Sequence, residues 1–192
     1  MSNFKKAAVE LAAALALSVV TYASDASLDY RILATSKTST MEKELNDAAA
    51  AGYRFGKAMG GKSANGGQEV VVAMVKDLAN SGERGRKYLL LAATRTSTMQ
   101  KEMQRAADQG YEYADQTVFQ TAFGGREVVV IMELDPARTG PPSSYRLLAT
   151  TKTSSMQKEL QEAGSQGYLL VGLTVGKTEI GGDEIVTILR KN

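Results

Sequence analysis

The sequence contains no cysteine, no histidine and no tryptophan, and only three prolines in 192 residues. Without cysteine there is no disulfide, thiolate nucleophile, zinc-thiolate centre or iron-sulfur cluster. Without histidine the commonest metal ligand and the commonest general base are gone as well. Chemistry is left to Asp, Glu, Lys and Tyr. Oxygen ligands alone can hold a hard cation, but no Asp-x-Asp-x-Asp-Gly loop of the calcium-binding kind occurs, so neither a metal nor a cofactor is expected. An excess of one charge is lacking too: 23 basic residues stand against 21 acidic ones, a net charge of +2, with the two signs interspersed. Phosphate binding needs a clustered basic surface, so nucleic acid is not an expected partner.

What is present begins with an address. Lys5 and Lys6 precede an apolar run from Leu11 to Ala23, which stops at the small-residue sites Thr-Tyr-Ala and Ser-Asp-Ala. This is the pattern of a secretory signal peptide over residues 1–26, cut after Ala23 or Ala26. Glu10 keeps the apolar run shorter than the roughly 20 residues that span a bilayer. No cysteine follows the site to carry a lipid. The mature chain is therefore expected in the periplasm or outside the cell, with no membrane attachment after cleavage.

The rest of the chain is one unit written three times. Residues 30–77, 88–135 and 145–192 align without a gap, opening YRILATSKTSTM, YLLLAATRTSTM and YRLLATTKTSSM. Such a period signals a repeat architecture. All three prolines, Pro136, Pro141 and Pro142, lie in the connector between the second and third copies, away from positions where proline would break regular structure.

Each copy predicts strand, helix, strand, strand. Tyr30, Ile32 and Ala34 alternate with Arg31, Leu33 and Thr35, the period-two pattern of a strand. Ser39-Thr40-Met41-Glu42 has the form of a capping box, repeated by Ser97 with Gln100 and by Ser154 with Gln157. Met41, Leu45, Ala48 and Ala49 then share one helical face, and Gly52 is placed to end the helix in a left-handed conformation, as are Gly110 and Gly167. Tyr53 to Met59 resumes as strand, and GGKSANGGQ turns it into Glu69 to Lys76 as a hairpin. The last strand is nearly all apolar in every copy, which predicts burial on both faces and hence the central place in its sheet. The expected fold is α+β: three tandem βαββ repeats with antiparallel sheets of order 1-3-2 and one helix each. A 48-residue unit is too small to bury much surface alone, so the sheets are expected to share a core or join edge to edge.

Leu45-Asn46 followed by Gly52-Tyr53 entering a strand resembles the short strand-helix-strand-strand domains of unknown function found in many bacterial proteins. In these a Leu-rich helix ends at Gly followed by Trp or Tyr. The resemblance covers each repeat and implies a fold without an activity. This chain has Tyr where Trp is usual, and an added Thr-Ser-Thr cap.

Three recurring features are candidate sites. The strand-to-helix turn carries Lys37 with Ser39, Arg95 with Ser97 and Lys152 with Ser154. There, free amides, helix dipole, cation and hydroxyl converge as an anion site would require, although a good helix cap accounts for the same hydroxyl. Lys43-Glu44, Lys101-Glu102 and Lys158-Glu159 project about 100° apart on a helix and cannot act as facing dyads. The Gly-Gly-x-Glu elements place Glu69, Glu127 and Glu184 at one position in three units, where pseudo-threefold packing would gather them into a cation site and simple strand polarity would not. Two classes of function follow. One is an exported, non-enzymatic binding or scaffold protein, whose sheet edges or turns hold an unknown protein, a polymer or further copies of itself. The other is a carboxylate-dependent hydrolase acting on envelope glycans, which needs two acidic groups about 5 to 9.5 Å apart across a cleft.

Overall fold

The computed structural model describes residues 27–62, 67–79, 85–120, 126–177 and 183–192. The expected signal peptide and most of the three Gly-rich turns lie outside the described residues. Each copy folds as strand, helix, strand, strand. The first has β1 (Leu28–Thr35), α1 (Thr38–Ala50), β2 (Arg54–Lys62) and β3 (Gln68–Asp77). The second has β4 (Lys87–Ala93), α2 (Thr96–Ala107), β5 (Glu112–Gln120) and β6 (Arg126–Leu134). The third has β7 (Ser144–Thr150), α3 (Thr153–Ser165), β8 (Leu169–Lys177) and β9 (Asp183–Lys191). The three antiparallel sheets run β1-β3-β2, β4-β6-β5 and β7-β9-β8, so the most apolar strand is central in each.

The helices end as the glycines require. Gly52, Gly110 and Gly167 take φ of 89°, 91° and 85°. Around Gly52 the pattern is a Schellman motif: its own N–H donates to the Ala49 carbonyl at 2.9 Å, and the Tyr53 N–H to the Ala48 carbonyl at 3.1 Å. Gly60 serves differently from the turn residue its sequence suggests. It lies within β2, and a Cβ there would sit 2.1 Å from the Val118 carbonyl of β5, so its bare backbone lets the two strands pack directly. Each hairpin carries a β-bulge at one place, between Phe55 and Lys57, Tyr113 and Asp115, and Leu170 and Gly172.

The sheets are stacked face to face, each with a helix wedged against the next. One core joins Met41, Leu45, Ala48 and Ala49 of α1 to Val70, Val72 and Met74 of its own sheet, and equally to Tyr88, Val129 and Ile131 of the second sheet. The next core joins Met99, Met103, Ala106 and Ala107 of α2 to Val130 and Met132 on the opposite face of that sheet, and to Tyr145, Leu147 and Ile188 of the third. Of the two expected ways of joining, the units share cores, and among the described residues no strand of one sheet pairs with a strand of another. A helix needs apolar surface on both sides to bury its stripe, and the neighbouring sheet supplies the second side. Burial of the central strand on both faces holds in full for β6, where Val129, Val130, Ile131 and Met132 are all solvent-free. In β3 only alternate residues are buried, because among the described residues no neighbouring unit covers the outer face of the first sheet.

Candidate functional site

The helix starts depart from the expected cap. The N-cap residues are Lys37, Arg95 and Lys152, in extended conformation and without a side-chain cap bond. Ser39, Ser97 and Ser154 are one residue inside the first helical position and exposed, so none closes a capping box. The turn is tied by the preceding threonine: Thr35 Oγ1 accepts from the Lys37 N–H at 3.2 Å, and Thr150 Oγ1 from the Lys152 N–H at 3.3 Å. The six candidate anion-site residues stay as three separate pairs, one at each helix start. Glu184 lines a small pocket beside Arg95 and Thr96, which brings a carboxylate to the start of α2. Glu69, Glu127 and Glu184 belong to three different sheets, and among the described residues no acidic group of three converges to hold a metal ion.

The acidic residues that do meet are others. Glu112 of β5 lies directly opposite Glu133 of β6, and with Asp135 and Arg138 they line a depression of about 310 Å³. Each carboxylate is already engaged. Arg86 pairs with Glu133 and, at 2.9 Å, with Asp135, while Arg138 pairs with Glu112 at 2.6 Å. Ser143 donates its hydroxyl hydrogen to Glu112 at 2.8 Å. Arg86 and Arg138 come from the two connectors, so this cluster fastens the connectors to the middle sheet.

A second network, invisible to motif reading, joins the units. From α1, the Glu42 carboxylate accepts from the Leu90 N–H at 2.9 Å, and the Asn46 amide accepts from the Tyr88 N–H at 3.0 Å while donating to the Tyr88 carbonyl at 2.9 Å. From α2, Gln100 accepts from the Leu147 N–H at 2.9 Å and Gln104 from the Tyr145 N–H at 3.0 Å. Side chains four apart on a helix share a face, so each helix satisfies the open edge of the following unit's first strand. The tyrosine completes the joint. Tyr88 Oη accepts from the Phe55 N–H at 2.8 Å, and Tyr145 Oη from the Tyr113 N–H at 2.7 Å. Burial, reinforced for Tyr88 by the nearby Glu133 charge, pushes the phenols of Tyr88, Tyr113 and Tyr145 above their ordinary range. Asp115 adds a bond across the first joint, accepting from the Ala58 N–H at 3.0 Å and pairing with Lys57 at 3.1 Å. Glu42, Gln100 and Gln157 were expected to cap their own helices. The sequence signal for the role Glu42 and Gln100 take instead is a polar residue at i and i+4 beside the apolar stripe.

Among the described residues both ends of the stack are left open. Tyr30 and Ile32, which correspond to the buried Tyr88 and the half-buried Leu90, are each 64% exposed, as is Met59. At the other end Gln157 and Gln161 of α3 are exposed and flank an apolar groove of about 470 Å³ between α3 and β8, beside the exposed Leu173. Among the described residues no helix is long and apolar enough to cross a membrane. These features define a three-unit α+β repeat protein in which, among the described residues, both end faces are exposed. Comparison with protein families, with curated proteins and with solved structures finds no match to this chain.

Proposed function

We propose that the chain is an exported, non-enzymatic binding or scaffold protein whose binding surfaces are the two ends of its stack. The observation that carries this reading is that surfaces buried at both internal joints recur, exposed, at the outer ends. Repeat proteins ordinarily close their ends with polar capping units, and large exposed apolar patches mark interaction sites. Export rests on the basic and apolar pattern of residues 1–26.

Fractionation of the native host tests both parts. The mature chain is expected outside the cytoplasm with Ser24 or Ser27 at its N-terminus, and to elute in a large assembly. An end-blocked variant, Ile32→Arg with Leu173→Arg, is expected to elute free. Intact Met1 in the cytoplasm overturns the export reading. A wild-type chain that elutes free, or a blocked variant that stays assembled, overturns the binding reading.

The hydrolase reading has one observation in its favour, the opposition of Glu112 and Glu133 across a depression. Both are held in ion pairs, however, and glycoside cleavage needs one carboxyl that delivers a proton. Assay against envelope glycans is expected to show no turnover. Turnover that is abolished in Glu133→Gln would restore the hydrolase.

A further inference from the structure

Resting on the binding reading above, we propose that the partner at each end is a second copy of this chain, stacked head to tail. The α3 face of one copy takes the β1 face of the next, continuing the internal joints. The argument is one of position. At each internal joint a helix offers polar side chains at i and i+4, and the following unit offers a tyrosine and an aliphatic residue from its first strand. The α3 helix carries Gln157 and Gln161 where α2 carries Gln100 and Gln104, the same two residue types, and both are exposed. At the other end β1 carries Tyr30 and Ile32 on an edge strand, and among the described residues no helix precedes it to satisfy their amides.

The two faces complement each other as the internal ones do. The groove beside α3 is lined by Leu160, Leu173 and Ile185, which correspond to Leu45, Ala58 and Val70, all buried in the first core. A second copy fills it with Tyr30, Ile32 and the outer face of its first sheet. Gln157 then accepts from the Ile32 N–H, Gln161 from the Tyr30 N–H, and the Tyr30 hydroxyl from the Leu170 N–H, by correspondence with the bonds of the second joint. One internal bond has no counterpart. The position of Asp115 is taken by Lys57 of the incoming copy, as it is by Gly172 at the second joint, so no carboxylate caps β8 and the joint between copies is weaker than the first joint within. Association is therefore reversible and rises with concentration. Because the two faces differ, the contact is heterologous, and assembly proceeds beyond the dimer.

Sedimentation of the purified mature chain tests this with two variants at exposed positions, Ile32→Arg to block the head and Leu173→Arg to block the tail. Wild type is expected to grow past dimer as concentration rises, and each variant alone to stay monomeric with an unchanged circular dichroism spectrum. The two variants mixed are expected to form a one-to-one dimer that grows no further, because the open tail of one takes the open head of the other and both remaining ends are blocked. Gln157→Ala with Gln161→Ala is expected to weaken association about tenfold or more, the effect of two lost hydrogen bonds. Dimerisation of either blocked variant alone overturns head-to-tail stacking in favour of like-with-like contact. A wild type that stays monomeric at every concentration overturns self-association. If it still enters an assembly in host extract that end-blocking abolishes, the binding reading stands with a different partner.

Discussion

Single residues decide where each helix stops and how each joint closes. Gly110 holds φ of 91°, and a Cβ there would lie 3.2 Å from Leu134 Cδ1. Gly110→Val is expected to lower stability by roughly 1 kcal/mol or more in urea unfolding, because a β-branched residue fits a left-handed backbone poorly. Asn46 and Gln161 are the same position in two settings. Asn46→Ala leaves both the N–H and the carbonyl of Tyr88 without their side-chain partner, at an expected cost of about 1 to 3 kcal/mol. Gln161→Ala, at an exposed end, is expected to change the monomer by no more than about 0.5 kcal/mol. Equal effects in a urea titration would contradict the role given to these amides.

Among the elements, the first strand of each unit shows most clearly how position outranks sequence. The strands β1, β4 and β7 open with the same tyrosine, yet Tyr88 and Tyr145 are 2% and 4% exposed while Tyr30 is 64% exposed. The two buried phenols serve as acceptors across the joints, so their titration reports on the stack. Their folded values lie above the ordinary tyrosine value of 10.0. Above that pH the unfolded chain releases phenolic protons that the folded chain keeps. The folded state then binds more protons, and stability falls as pH rises, by up to about 1.4 kcal/mol per pH unit for each such tyrosine. The stabilisation is fully present below pH 10. Tyr88→Phe is expected to be less stable at neutral pH, having lost its hydroxyl acceptor, and to show a shallower alkaline decline. Tyr30→Phe, at an exposed position, is expected to match wild type in neutral-pH stability of the monomer. A decline unchanged by Tyr88→Phe would show that this phenol does not stay protonated in the fold.

At the scale of the whole molecule, the two cores make the units interdependent, since α1 and α2 each bury one stripe against two sheets. Hydrogen exchange on dilute protein is expected to be slowest at Val129 to Met132 of β6, the strand covered by a helix on each face, and fastest in β1. Equal protection of β3 and β6 would mean that the units fold independently of their neighbours.

The sequence by itself determined the unit. The period-two and helical patterns, the glycines at the helix ends and the apolar third strand specify βαββ and the order 1-3-2, because these depend on contacts within about 50 residues of chain. Copies that keep the same structural pattern carry no information about which copy has a neighbour, so how the units join was not legible. Glu42 and Gln100 fit a capping box as well as they fit an edge-strand bond, since local spacing satisfies both. Only the approach of the next sheet, whose first strand presents open amides, selects the second. The same approach buries Tyr88 and Tyr145, leaves Tyr30 in solvent, and turns three copies of one unit into a stack with two different ends.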